Sequence, residues 1–123
     1  MKTPKRVITF LSEDEFRQIV RSIKTNHKYD HRDRALLLVL FSTGMRISEC
    51  LSLEREKIEV LIANAGETME LPIVGKGGWQ RVVFFTAAAL SAIEKWLKIR
   101  TDDDRRVFPM TDRAARYTVK RRA

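Results

Sequence analysis

One segment of the sequence carries an arginine whose side-chain orientation the neighbouring predicted helices can fix. Arg46 follows Thr43-Gly44 and opens a short predicted helix directly after a buried one. A rigid core helix that leads straight into an arginine can hold the guanidinium in one direction, and the free N–H groups of a helix N-terminus favour an anion. Glu49 lies three residues on, on the same helical face, where its carboxylate can orient Arg46. The alternative interpretation is an exposed ion pair of little energetic value.

A second segment, Gly75-Lys76-Gly77-Gly78, joins two strand-like runs. Its three glycines allow the turn to approach another backbone closely and leave Lys76 without bulky neighbours. Such a lysine can touch a phosphate or donate a proton, and a flexible turn with a solvated lysine is the alternative. The pattern G-x-x-x-x-G-K-[ST] of a nucleotide-binding loop is not matched.

Helical patterns account for most of the chain. The first helix opens with a capping box formed by Ser12 and Glu15. The second begins near residues 30–33 and ends at Gly44, which suits the left-handed position after a helix. Three further helices are predicted, a short one at about residues 46–53, one capped by Thr86 and a last one over residues 111–122.

The remaining patterns favour strands. Residues 69–74 and 80–85 flank the glycine-rich turn and predict a β-hairpin, and residues 58–62 predict a third strand. The fold class is therefore α+β, mainly helical, with a small three-stranded antiparallel sheet. The 123 residues show no internal repeat and no domain boundary, which predicts that they belong to a single domain.

The amino-acid composition indicates which classes of binding partner the protein can have. The chain carries 24 Lys and Arg against 16 Asp and Glu, a net charge of +8, which favours a polyanion such as nucleic acid. A single cysteine excludes an internal disulfide, and His27 and His31 lack a third ligand, so no metal site is expected. Neither a signal peptide nor an apolar run of ~20 residues is present, which predicts a soluble cytoplasmic protein without a membrane partner.

The two segments together resemble the tyrosine recombinases, also called the phage integrase family. Residues 43–53, TGMRISECLSL, are close to that family's first arginine box, T-G-[LM]-R-I-S-E-L-L-x-L. Residues 73–83, IVGKGGWQRVV, resemble its hairpin lysine box, G-K-G-x-K-x-R-x-V. The resemblance covers roughly residues 8–122, in the family's order. It implies the family's catalytic-domain fold and a role in DNA recombination or integration, as in mobile elements.

The resemblance also implies roles for individual residues. In this family a tyrosine attacks the scissile DNA phosphate and forms a 3′-phosphotyrosyl link, with no metal or other cofactor. Arg46 would stabilise the phosphorane-like transition state, Lys76 would protonate the leaving 5′-oxygen, and Glu49 would brace the arginine. The chemistry agrees, because a pre-aimed arginine stabilises developing negative charge, and the pKa of a lysine suits proton donation better than that of an arginine.

Double-stranded DNA and other recombinase protomers are the partners that the resemblance implies. The protein would then associate with the nucleoid when it is bound to DNA. We expect contacts with the DNA backbone from five cationic residues: Arg46, Lys76, Arg81, Arg113 and Arg116.

Residues 1–123 also depart from the family pattern. They contain neither the second box, H-x-x-R, nor the nucleophilic tyrosine, nor the N-terminal domain that clamps the other side of the DNA. Tyr29 and Tyr117 are the only tyrosines, and we interpret both as structural. We therefore expect a partial catalytic domain, roughly its first two-thirds, that completes no cleavage cycle by itself.

Two other functions fit parts of the pattern. Residues 36–53 read as helix, glycine turn and helix, which superficially matches a helix-turn-helix regulator. The apolar first helix and the following hairpin argue against that assignment. The second alternative is an integrase-derived module that binds DNA without catalysis.

Overall fold

The computed structural model describes residues 14–15, 18, 21, 23, 27–64 and 69–122. The predicted cap of the first helix, formed by Ser12 and Glu15, lies outside this set because Ser12 is not described. Within it the elements follow in the order α1 (Lys28–Thr43), α2 (Ile47–Leu51), α3 (Arg55–Ala63), β1 (Glu70–Val74), β2 (Gln80–Phe84), α4 (Ala87–Ile99) and α5 (Asp112–Arg122).

The core lies between α1 and α4, which pack against each other over much of their length. α1 contributes the uninterrupted apolar run that the sequence predicted to be buried, including Leu36, Leu37 and Leu40. α4 begins at its predicted cap, where the Thr86 hydroxyl accepts the Ala89 N–H at 3.1 Å. Its inner face is formed by Ala89, Leu90, Ala92, Ile93, Trp96 and Leu97.

α1 begins two residues before the predicted range. His27 is its N-cap, with its Nδ1 accepting the Tyr29 N–H at 3.3 Å, while the Asp30 carboxylate accepts the His27 N–H at 3.0 Å. These bonds satisfy N–H groups that a helix start leaves free. Residues 28 and 29 are therefore part of α1, and His27 serves the backbone of its first turn.

The sheet has two antiparallel strands, so the predicted count of three is wrong. β1 and β2 pair with Pro72 opposite Val82, and both strands lie where the sequence predicted them. Residues 58–62, predicted as a strand, are part of α3. A helix forms here because Ile58 and Leu61, three residues apart, lie on one buried face. In a strand, Val60 would lie on the same face as Ile58, but Val60 is exposed.

The last helix, α5, is joined to α1 by a cluster of side-chain ion pairs. The Asp33 carboxylate is 1% exposed and lies 3.0 Å from an Arg122 guanidinium nitrogen, 3.4 Å from Arg121 and 2.9 Å from Arg32. Arg122 also contacts Asp30 at 2.7 Å. Together with the buried Ala115, Thr118 and Val119, these contacts fix the orientation of α5.

None of the helices that the structure describes is both long and apolar enough to cross a lipid bilayer.

Candidate functional site

Arg46 is presented by a turn in which the N–H groups of Gly44, Met45 and Arg46 are all hydrogen-bonded. Gly44 ends α1 with φ of 72° and donates its N–H to the Leu40 carbonyl at 3.1 Å. The Thr43 hydroxyl accepts the Met45 N–H at 3.1 Å and donates to the Val39 carbonyl at 2.7 Å. Met45 is fully buried, whereas Arg46 is exposed. The turn therefore anchors one residue in the core and directs the next outwards.

Glu49 is the carboxylate on which this site is built. Its side chain is only 7% exposed, and its Oε1 accepts the Arg46 N–H at 3.0 Å, which closes the first turn of α2. The same oxygen lies 2.6 Å from an Arg81 guanidinium nitrogen. A single buried carboxylate thus joins the start of α2 to strand β2.

The ionisation of Glu49 follows from these contacts. Burial raises the pKa of Glu49, but hydrogen bonds from the Arg46 N–H and the Arg81 guanidinium, together with the charges of both arginines, outweigh burial and leave the pKa below its usual value. The carboxylate is therefore charged at neutral pH and holds Arg81 as an ion pair.

The lysine-bearing turn lies directly beside this carboxylate. A Cβ on Gly75 would lie 2.7 Å from the Glu49 Oε2, so only glycine fits without movement. The Gly75 N–H donates to the Trp79 carbonyl at 2.8 Å, and residues Lys76–Gly78 form one 3-10 turn between the strands. The turn was predicted to approach another backbone closely, but its close neighbour is the Glu49 side chain of the arginine segment.

Strand alternation explains why Arg81 reaches Glu49. Arg81 pairs with Ile73, on the same face of the hairpin as the buried Leu71 and Val83. That face turns towards the body of the domain, so the guanidinium extends to α2 while remaining 45% exposed. Of the predicted DNA contacts, Arg81 holds Glu49 through its guanidinium and Arg46 through its backbone N–H, so Glu49 fixes the start of α2 that carries Arg46. The backbone before Lys76 adjoins the same carboxylate.

The other two predicted contacts, Arg113 and Arg116, lie on α5, which packs against α2. Both are exposed. Arg116 is 2.6 Å from Asp112, one turn earlier, and Arg113 makes no ion pair with any residue that the structure describes. Tyr117 on the same helix is exposed, with the Arg121 guanidinium 5.8 Å from its ring centre.

The sequence interpretation missed two polar groups. One is Asp33, whose only sequence signal was a carboxylate at the start of an apolar run combined with an arginine-rich last helix. The other is Arg100, which is buried against the Trp96 ring and donates to the carbonyls of Asp104 and Arg106. Both arrange backbone elements, and neither lies at the Glu49 site.

One cleft elsewhere on the surface is predominantly acidic. An open cleft of about 340 Å³ is lined by Glu54, Arg55, Glu56, Glu59 and residues 103–105. Carboxylates predominate in it, which disfavours phosphate there. The cationic site and this acidic cleft give the surface an electrostatic asymmetry.

Several known proteins are similar to this chain in sequence. The profile of the phage integrase family matches residues 9–123. Tyrosine recombinase XerA of Pyrococcus horikoshii is 35% identical over 107 residues, covering 87% of this chain and 34% of that protein. Tyrosine recombinase XerC of Chlorobaculum parvum is 29% identical over 134 residues, covering 96% of this chain and 38% of that protein.

A solved structure supports the same architecture. The crystal structure of XerA recombinase superimposes with a TM-score of 0.67 at 19% identity, covering 92% of this chain and 41% of that one. The likeness at this identity concerns the fold. The chain spans about a third of the length of the curated relatives XerA and XerC.

Proposed function

This chain belongs to the phage integrase family, and we propose that it supplies the first arginine and the hairpin lysine of a site-specific DNA recombinase. In this proposal the protein breaks and rejoins DNA through a 3′-phosphotyrosine intermediate. Arg46 and Lys76 contact the scissile phosphate, and Glu49 positions them. The remaining catalytic groups, including the nucleophile, come from outside residues 1–123.

The observation that supports the proposal is that the arginine segment and the hairpin both contact the Glu49 carboxylate. Its carboxylate accepts the Arg46 N–H, pairs with Arg81 and leaves no room for a side chain at Gly75. Two segments about 30 residues apart in the sequence are thereby held at one place, and these are the two segments that resemble the family's boxes. A solvated turn and an isolated surface ion pair would need no such arrangement.

The chemistry assigned to each residue follows from its charge. As the tyrosine attacks, negative charge develops on the non-bridging phosphate oxygens, and a guanidinium already directed at them stabilises it without reorganisation. The ammonium of Lys76 gives its proton to the departing 5′-oxygen. Glu49 remains ionised and touches neither the phosphate nor the leaving group, so it is a positioning residue.

A helix-turn-helix regulator fits the structure less well. The second helix of that motif must enter the major groove, but α2 has five residues and buries Glu49, Cys50 and Leu51. The preceding α1 is a core helix and does not cross a DNA backbone. We therefore assign the DNA-facing role to Arg46, the hairpin and α5.

Double-stranded DNA and other recombinase protomers are the partners in this proposal, and the protein acts in the compartment that holds the chromosome. Phosphate contacts from Arg46, Lys76, Arg81, Arg113 and Arg116 would give nearly sequence-independent binding that weakens with salt.

A titration of a labelled DNA duplex at two salt concentrations tests the proposed binding. We expect affinity to fall as salt rises, and Arg46→Ala to weaken binding and reduce the salt slope by about one phosphate contact. Arg55→Ala is the matched control, because it removes the same charge from the acidic cleft. Binding that ignores salt, or equal losses in both variants, would contradict the proposal.

A denaturing gel tests the catalytic part. Residues 1–123 incubated with a nicked duplex should form no covalent protein–DNA adduct, because the nucleophile lies elsewhere. An adduct that disappears in Tyr29→Phe or Tyr117→Phe would show that one of these tyrosines attacks DNA, and our assignment of roles would be wrong.

A further inference from the structure

The tip of the hairpin carries an exposed tryptophan that the catalytic proposal does not use. Trp79 is 79% exposed, whereas the other tryptophan, Trp96, is 1% exposed and donates to the Val107 carbonyl at 2.7 Å. An indole ring is among the costliest side chains to leave in water. At the hairpin turn of a basic protein, most of the indole surface is therefore available to a partner.

The indole is held in a defined place. The Trp79 carbonyl accepts the Gly75 N–H at 2.8 Å, which closes the turn. A Cβ added to Gly77 would lie 3.3 Å from the Trp79 Cδ1, so the ring edge lies along the turn over Gly77. With φ near +80°, Gly77 and Gly78 adopt a conformation that other residues rarely take. The backbone of the turn is thus defined, and the ring lies beside the segment that carries Lys76.

The surroundings of the ring indicate what it contacts. The hairpin lysine box quoted above has the form G-K-G-x-K-x-R, and Trp79 occupies the position of its second lysine. Lys76 and Arg81 lie within three residues of it on either side. A second copy of this chain carries the same net charge of +8, so at this cationic turn it is a less favourable occupant than a polyanion. Double-stranded DNA combines anionic phosphates with grooves lined by sugars and base edges, so it can contact both the cationic side chains and the indole.

We propose that Trp79 is a DNA-binding residue, and that its indole inserts into a groove of the duplex and packs against bases or sugars when the hairpin docks. This inference rests on the proposed function. The aromatic contact takes the place of an electrostatic one, so it contributes affinity that salt does not screen. It also acts as a wedge that fixes the depth of the hairpin in the groove.

Quenching of tryptophan fluorescence by neutral acrylamide tests the contact. We expect the quenchable signal of the free protein to come from Trp79 and to become protected in the presence of saturating duplex. Trp79→Phe identifies that signal, because the buried Trp96 is then the only tryptophan left. In parallel, Trp79→Ala should weaken duplex binding about fivefold or more, as is usual for loss of one stacking contact, with an unchanged salt slope.

Phe84→Ala is the matched control. Phe84 is an exposed aromatic residue on the same hairpin, but it pairs with Glu70 at the far end from the turn. Its removal should leave affinity within about twofold, and Trp79→Phe should retain most of the affinity because it keeps an aromatic face.

Each remaining outcome overturns the inference in a distinguishable way. Salt-dependent binding with a fully quenchable Trp79 and unchanged affinity in Trp79→Ala refutes the contact while the proposed function stands. Protection that appears without DNA and rises with protein concentration identifies a second copy as the occupant. A wild-type chain that binds no duplex refutes the proposed function, and this inference with it.

Discussion

Glu49 on α2 and Arg81 on β2 form an ion pair of 2.6 Å although 32 residues separate them in the sequence. The pair connects the helix that begins at Arg46 to the hairpin that carries Lys76. Because the same Glu49 oxygen also accepts the Arg46 N–H, a change at either end of the pair alters the geometry of both cationic segments.

Substitution of Gly75 tests how closely the hairpin approaches this carboxylate. Gly75→Ala would place a methyl group 2.7 Å from the Glu49 Oε2, and Glu49 cannot retreat without losing its two partners. We expect the free energy of unfolding to fall by about 1–3 kcal/mol, measured by urea denaturation. In a Glu49→Ala background the same substitution should cost much less. An equal cost in both backgrounds would show that the clash lies elsewhere.

The ionisation of Glu49 makes part of the stability depend on pH. Its pKa is lower in the folded chain than its usual value of 4.5, so the folded state favours the charged form. The resulting stabilisation is fully present above pH 4.5 and is lost as the pH falls through the lower, folded pKa. Glu49→Gln removes this contribution while keeping an oxygen for the Arg46 N–H. The difference in unfolding free energy between wild type and variant should therefore shrink between pH 7 and the acid limit. A difference that stays constant with pH would contradict a charged Glu49.

Substitutions of Arg81 and Arg113 should both lower DNA affinity, but only the substitution of Arg81 should lower the stability of the fold appreciably. Arg81→Ala leaves Glu49 without its cation, and we expect a loss of about 1 kcal/mol in unfolding free energy, a modest value because the Arg81 side chain is 45% exposed. Arg113→Ala removes an exposed cation without a described partner and should change stability by less than about 0.5 kcal/mol. Each should weaken binding to a DNA duplex in the salt titration. Equal thermal and urea stability of the two variants would show that the Glu49–Arg81 pair contributes nothing to folding.

The packing of α5 against α1 should depend on the Asp33 carboxylate. It is 1% exposed and contacts Arg32, Arg121 and Arg122. Asp33→Asn removes the charge that these three guanidinium groups share and leaves Arg122 with Asp30 alone. We expect a loss of about 2–4 kcal/mol in unfolding free energy and faster amide exchange in α5. Asp112→Asn is the control, because its pair with Arg116 is exposed on one helix and should contribute less than about 0.5 kcal/mol. Equal effects of the two substitutions would contradict the role of Asp33.

The sequence alone predicted the elements whose signals are local. Gly44 suited a left-handed conformation after an apolar helix, Thr86 offered a hydroxyl to a helix start, and the glycine-rich turn lay between two strand-like runs. Each of these signals acts through the backbone of a few neighbouring residues, so no distant contact was needed to interpret it. The family resemblance was equally readable, because residues 43–53 and 73–83 are continuous segments.

The tertiary structure decided what distant residues do together. Residues 58–62 fit both a strand and a helix by hydrophobicity, and the helix prevails because the core accepts Ile58 and Leu61 from one side. The pairing of Glu49 with Arg81, the contact of Gly75 with the same carboxylate and the attachment of α5 through Asp33 join segments that are 26 to 89 residues apart. Charge and hydrophobic periodicity identify which residues can form such contacts. Only the packing of α1, α2, the hairpin and α5 determines which partners meet, because each ion pair forms where a fold already fixed by apolar burial brings opposite charges within hydrogen-bonding distance.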